Sequence, residues 1–361
     1  MQILCVDVGT GTQDILLFDS ERELENCVQL IVPSPTRIVA GRINRATETG
    51  SPILLTGRTM GGGPSTWAAE AHLKRGLAVY ATPEAARTFD DELPRVEHMG
   101  IRVVSDDEAS RLVGVVRIRL SDFDLSAIAM ALAPFDVDFK PAAVALAVFD
   151  HGNAPPGVSD RIFRFAYLAE TVVQNDLAAF GYRREDLPAR LTRMRSAAED
   201  VPAGLPTFVM DTGPAAVLGA LEDPYARGAP SALVANVGNF HTLAFHIAGG
   251  RILGIFEHHT GELTRAELER YLGQLGDGTI SNEEVFADMG HGALVVGEVP
   301  VEPKILAVTG PRRALLQGSA MQPYLAVPHG AMMLAGCYGM LRGMARRMPE
   351  YASAILPRLL N

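Results

Sequence analysis

An apolar strand, ILCV, runs into VDVGTGTQD, and a second apolar strand, ILLFD, follows at once. Strand, short Gly/Thr turn and strand make a hairpin at the very start of the chain. Its turn is built from Gly9, Thr10, Gly11 and Thr12, with Asp7 and Asp14 on either side. Glycines let main-chain N–H groups approach phosphate oxygens, threonine hydroxyls add donors, and a carboxylate such as Asp7 can hold magnesium through a water. The hairpin therefore points to the terminal phosphates of ATP with Mg2+; a Gly/Thr-rich hairpin without a ligand is the competing reading.

Other glycine-rich phosphate loops fit less well. A dinucleotide fingerprint, GxGxxG, needs a third glycine where Asp14 stands and a helix after it, whereas ILLFD has the continuous apolar character of a strand. A Walker loop needs Gly-Lys followed by Ser or Thr, and the chain contains no such string.

With 361 residues, 48% of them hydrophobic, the chain is long enough for two domains with their own cores. No apolar run approaches the roughly 20 residues of a membrane span, and the sequence opens into a strand without a basic region, apolar core and cleavage site. A cytoplasmic setting without a membrane partner is expected. A formal charge of -10 argues against nucleic acid, whose binding is driven by clustered Lys and Arg. Cys5, Cys27 and Cys337 are widely spaced in mostly apolar settings and are expected to be small buried hydrophobes rather than a disulfide framework or a cluster ligand set.

Strand-like and helix-like segments alternate through the first third, which predicts an α/β architecture. Strands are expected over 2–8 and 14–19, in CVQLIVP, in PILLTG and in LAVYATP, with a helix from Thr36 to Thr49. A further helix is expected near Pro64, capped by Ser65 or Thr66. AAVALAVFD is a buried strand ending at Asp150 and His151, and HGNAPPGVSDRIFRF then enters a helix running towards Phe180. That loop offers Asp150, His151 and Arg161, with Arg164 one turn on, as a surface for an acceptor or partner, or it merely turns the chain. From residue 231, SALVANVGNFHTLAFHIAGGRILGIFEHH predicts three short strands with tight turns, repeating the form of the opening hairpin. KILAVTGPRRALLQG follows as strand, glycine turn and polar segment, and AVPHGAMMLAGCYGMLRGMARR as a small-residue-rich helix opening near His329.

In that order, these blocks resemble the superfamily of actin, hexokinase and the Hsp70 chaperones. The resemblance implies a two-domain actin-like, ribonuclease H-like α/β fold that clamps ATP in the cleft between domains. It maps Asp7, Gly9, Thr10, Gly11, Thr12 and Asp14 to the first phosphate motif, Gly238, Asn239 and Thr242 to the second, and Thr309, Gly310 and Pro311 to the adenosine motif. Domain I is expected over residues 1–229 and a smaller domain II, with the C-terminal helix, over 230–361. Within the superfamily, MDTGPAAVLGA, NVGNFHT, VTGPRRALLQ and PHGAMMLAG resemble motifs of the glycerol- and xylulose-type carbohydrate kinases. There the aspartate of the first string takes the acceptor's proton, which here implies Asp211 as base; Asp211 is equally placed to cap the helix that follows it. Departures accompany the matches. Asn236 and Asn239 stand where many members carry aspartate and glycine or threonine, and TGPRR replaces a double-glycine turn.

The whole chain also resembles an uncharacterised family labelled as activating enzymes of pyruvate formate-lyase, DHGNAPPGVSDR being its most distinctive string. Genuine activases of that lyase hold an iron–sulfur cluster on three closely spaced cysteines, a pattern that Cys5, Cys27 and Cys337 do not form. Phosphoryl transfer or ATP hydrolysis with an unknown acceptor is the leading expectation. An ATP-responsive activator or reactivase of a partner enzyme, without radical chemistry, is the second, and a fold member binding some non-nucleotide ligand the third.

Histidines supply the remaining candidates. EHHTGE presents Glu257, His258, His259 and Glu262 as a possible metal cluster, but adjacent histidines on a strand face opposite ways, so at most one of the pair reaches a shared ion. His241, His246, His291 and His329 are scattered; His329 is the one expected near the cleft, and Asp288 and His291 are expected beside the adenosine motif.

Overall fold

The computed structural model describes residues 1–297 and 301–360. Its described residues form three sheets. The first contains β1 (Gln2–Val8), β2 (Thr12–Asp19), β3 (Val28–Pro33), β8 (Ala143–Val148), β9 (Gly181–Arg183) and β10 (Thr207–Asp211), in the order β3-β2-β1-β8-β10-β9. β1, β2 and β3 are an antiparallel meander, and β8 and β10 then run parallel to β1. Continuous apolar runs such as AVALAV suit the interior of this sheet, where every residue of β8 is buried.

The second sheet repeats the plan. It contains β11 (Ser231–Val237), β12 (His241–Ala248), β13 (Arg251–His259), β14 (Gly292–Val295), β15 (Ile305–Thr309) and β16 (Tyr324–Leu325), ordered β14-β13-β12-β11-β15-β16. Here too a meander is followed by a strand, β15, parallel to the first. Both sheets thus share the order meander third, second, first, then parallel crossover. This is the ribonuclease H-like topology in duplicate, the actin-like architecture.

Strands β4 (Ile53–Gly57), β5 (Val79–Ala81), β6 (Arg102–Val103) and β7 (Val116–Leu120) form a third, all-parallel sheet ordered β6-β5-β4-β7. It has a core of its own, in which Ile53, Leu55, Val79 and Ile118 meet Val39 and Ile43 of the helix Pro35–Glu48. Local differences from the sequence reading have simple causes. The helix Pro64–Lys74 starts from Gly63 at φ 67 without a side-chain cap, because Ser65 is buried and bonds Thr36 instead. The helix after the HGNAPPG loop covers Asp160–Val172 and stops short of Phe180, where Asn175 takes φ 58 before a 3-10 turn. The last glycine-rich helix opens at Ala335, preceded by 3-10 turns in which His329 has φ 47.

Helix Ala335–Arg347, expected with domain II, packs against β1, β8, β9 and β10 of the first sheet and against the helix Thr212–Ala220. The two helices meet backbone to backbone: a Cβ on Gly219 would lie 1.6 Å from the carbonyl oxygen of Ala335, and one on Gly339 would lie 1.8 Å from that of Ala215. Gly219→Val must therefore force the helices apart. Its expected cost is about 3 kcal/mol or more of folding stability, read from the shift in urea midpoint. Among the described residues, no helix is long and apolar enough to cross a membrane.

Candidate functional site

The opening hairpin places its turn at the carboxyl end of β1, beside the ends of β8 and β10. In such sheets, ligands bind beyond these strand ends. Gly9 N–H donates to the Thr12 carbonyl (2.9 Å), closing the turn. Ser34, the N-cap of helix Pro35–Glu48, braces it by donating its hydroxyl to the Thr10 carbonyl at 2.6 Å. The second hairpin is built alike: Gly238 N–H donates to the His241 carbonyl at 3.0 Å. Val8-Gly9 and Val237-Gly238 are thus counterparts in the two sheets. The turns face each other closely, since a Cβ on Gly11 would lie 2.6 Å from Nδ2 of Asn239.

Between them lies a cavity of about 310 Å3. Its walls include Asp7, Gly9, Thr10, Thr12 and Asp14 from the first hairpin, and Gly238 and Asn239 from the second. Thr309, Gly310 and Pro311 also line it. Gly310 has φ 98, and a Cβ there would lie 2.4 Å from the Val237 carbonyl oxygen, so this turn is locked onto the second hairpin. Arg312 and Arg313 do not line the cavity; Arg312 N–H donates to the Val237 carbonyl at 3.0 Å.

Asp7 and Asp14 are cross-strand partners in the β1/β2 ladder, and both are buried. The Thr212 hydroxyl donates to Oδ1 of Asp7 at 2.5 Å, while Oδ1 of Asp14 has no hydrogen-bond partner. Burial raises both carboxyls, Asp7 to about 7 and Asp14 to about 8, and each is also raised by a neighbouring carboxylate. The folded protein therefore retains protons that the unfolded chain has lost, so this pair costs stability progressively as pH rises from about 4 to about 7–8. Buried neutral histidines have the opposite sign at the acid end, so the clean readout is a difference. Asp14→Asn should gain on the parent in urea-measured stability between pH 5 and 7, approaching 1.4 kcal/mol per pH unit. A pH-independent difference would refute the assignment.

Four sequence candidates lie outside the cavity wall, Gly11 among them at the tip that meets Asn239. Thr242 is buried, with its hydroxyl 3.0 Å from that of Thr260. Arg161 donates to the carbonyls of Phe286 (3.0 Å) and Gly290 (2.7 Å) and lies over the Phe286 ring, so it is a strut between elements. Asp211 is fully buried, caps the helix Thr212–Ala220 through Gly213 N–H, and gives both oxygens to the guanidinium of Arg164. Its carboxylate does not reach the cavity in this conformation; Glu257, on the other side of Arg164, does. Arg164 donates Nε and one terminal nitrogen to Glu257 at 3.1 and 2.9 Å, completing a buried one-arginine, two-carboxylate triad.

Asp150 and His151 do reach the cavity, as Arg193 does. Asp150 accepts from the backbone N–H groups of Gly152 (2.8 Å) and Met194 (2.9 Å). Arg193 is clamped by Asp122 at 2.7 and 3.0 Å and donates to the Phe149 carbonyl. The third sheet closes the remaining side with Thr59–Gly63, Arg87, Thr88 and Asp91, the last raised to about 6 chiefly by burial. Its contact with the second lobe is direct, since Trp67 packs on Phe240 at 5.7 Å between ring centroids.

Three of the histidines converge in space. His151, His241 and His291 place ligating nitrogens within 4.8 Å of one another. Of the His258/His259 pair, His258 turns to Tyr271, and His259 faces this group with its ring 4.6 Å from His291. His329 meets Tyr338 edge-on and does not line the cleft, contrary to the expectation.

Duplicated sheets whose glycine hairpins oppose each other across a cleft define a protein of the actin-like, two-lobed class. Within that class, residues 60–315 match the family model described as "Putative pyruvate format-lyase activating enzyme (DUF1786)", and the chain belongs to that family. No curated protein matches it. Solved structures similar to the chain include a ROK hexokinase from Thermus thermophilus, 15% identical over 98% of this chain and 100% of that one, with TM-score 0.32. Another is the ethanolamine utilization protein EutJ from Carboxydothermus hydrogenoformans, 14% identical over 94% and 89%, with TM-score 0.30.

Proposed function

We propose that the cleft binds ATP with Mg2+ and transfers or hydrolyses its terminal phosphoryl group. The observation that carries this reading is the pair of matched turns, Gly9–Thr12 and Gly238–His241, facing each other over two buried carboxylates. Main-chain N–H groups of such turns suit phosphate oxygens, and Thr309–Pro311 supply a backbone surface for the nucleoside. Asp7 and Asp14 fit a magnesium ion, because the orphaned Oδ1 of Asp14 and the raised carboxyls gain from a nearby cation. Bound there, magnesium neutralises phosphate charge.

The chain's own groups divide the remaining work. Thr212 orients Asp7 through its hydroxyl. Asp211 acts through Arg164, holding that guanidinium and Glu257 in place, so its role is positioning rather than proton transfer. Asp91, which lines the cavity and is pushed up to about 6 chiefly by burial, suits the proton acceptor. Closure of the third sheet on Phe240 excludes water from the phosphates. The cysteines present do not form the closely spaced set that holds an iron–sulfur cluster, since Cys5 lies on β1, Cys27 just before β3 and Cys337 on the helix Ala335–Arg347, with the Cys337 thiol donating to the Asp14 carbonyl at 3.2 Å.

A second reading, an ATP-responsive activator of a partner enzyme, is favoured by Asn236, the counterpart in the second lobe of Asp7. Loss of that carboxylate suits slow turnover and long-lived bound states. The test uses Trp67, the chain's single tryptophan. ATP with Mg2+ should change its emission in a saturable titration and release heat in calorimetry at one site per chain. Absence of both signals would end the nucleotide reading.

A further inference from the structure

We propose that His151, His241 and His291 form a binding site for one divalent transition-metal ion of the zinc class, with a further coordination position open to the cleft. The three residues come from three separate elements: the loop after β8, the start of β12 and the turn before β14. Their ligating nitrogens lie within 4.8 Å of one another. Imidazoles bound at about 2.0–2.1 Å to one tetrahedral ion have nitrogens roughly 3.3 Å apart, so modest side-chain rotation completes the set.

Packing alone leaves these groups unexplained. Both ring nitrogens of buried His291 and Nε2 of His241 lack hydrogen-bond partners, a costly state for buried polar atoms. Phe149 stacks on His241 at 3.9 Å, which satisfies the ring face and not its nitrogens.

The surrounding charges are compatible with a cation. Arg164 lies close by, but it is paired with both Asp211 and Glu257, which leaves that triad net negative. Oε2 of Glu257 is 3.7 Å from Nδ1 of His291, beyond hydrogen-bond distance but near enough for a small rotation to make it the carboxylate that orients a metal-bound histidine. Arg161 and Arg193 are occupied by backbone carbonyls and by Asp122. Three nitrogen donors select a zinc-like ion over magnesium, which prefers oxygen. His151 and His241 line the same cavity as the glycine hairpins, so an open position on the ion would face whatever occupies the cleft.

The experiment uses full-length protein freed of any histidine tag, dialysed against metal-free buffer and titrated with Zn2+ or Co2+ without nucleotide. One equivalent should bind, with Co2+ giving the visible bands of a low-coordinate nitrogen site. His291→Gln and His151→Gln should each weaken Zn2+ binding about 100-fold or more, whereas His98→Gln, at an exposed site, should not. Circular dichroism identifies any variant that fails to fold; His151, in a loop, provides the variant least dependent on packing. Stoichiometric binding that is unchanged in both folded variants, or no bound equivalent, overturns the proposal. Because nucleotide is absent, either outcome is independent of the ATP reading.

Discussion

Arg164→Met is expected to cost about 3–5 kcal/mol of folding stability, the usual effect of stripping one partner from a buried ionic group. Arg164, Asp211 and Glu257 are all fully buried, and Arg164 also donates to the Asp150 carbonyl at 3.0 Å. Methionine roughly fills the stem of the arginine but leaves two carboxylates facing each other without a counter-charge. The triple variant Arg164→Met, Asp211→Asn, Glu257→Gln should recover much of the loss, because the charges that made the arginine necessary are gone. Equal stability of the single and triple variants, by urea denaturation at pH 7, would show that the triad is not coupled.

Asp7→Asn is expected to lower magnesium-dependent ATP turnover at least about 100-fold while raising the stability of the ligand-free protein. The first effect follows from losing a carboxylate suited to the metal, an interaction of several kcal/mol in the reacting complex. The second follows from removing a buried acid whose deprotonation is costly at pH 7–8. Asparagine keeps an Oδ1 for the Thr212 hydroxyl, so the local hydrogen bond survives. Opposite signs for stability and turnover separate a ligand-holding carboxylate from a structural one; a variant that loses both, or neither, contradicts the assignment of Asp7.

Much of this was readable from residues because the decisive features are local. Gly9–Thr12 and Gly238–His241 each sit between two apolar runs, so hairpin, position and likeness to each other all follow from short strings. The third sheet was hidden for the opposite reason. Its strands PILLTG and LAVYATP have the same apolar period as those of the first sheet, and periodicity does not say which sheet a strand joins. Arg164 carried a weak signal, since Arg164, Leu168 and Thr171 share the buried stripe of their helix, while Arg161 precedes it in the first turn. Asp211 was legible as a cap from its place between a strand and the helix that follows, but its enclosure by Arg164 depends on residues from other elements. The convergence of His151, His241 and His291 is wholly tertiary, because no spacing along the chain relates them.

The turn Gly238–His241 ends in one of these histidines and begins with glycine and asparagine at the opposite hairpin. Four consecutive residues thus belong at one end to the proposed phosphate site and at the other to the proposed metal site, with Phe240 between them on Trp67. So short a segment cannot move at one end without moving at the other. By linkage, if a metal that repositions His241 changes nucleotide affinity, nucleotide changes metal affinity by the same factor. The second hairpin is in this sense a lever with two loads, and the third sheet bears on its fulcrum.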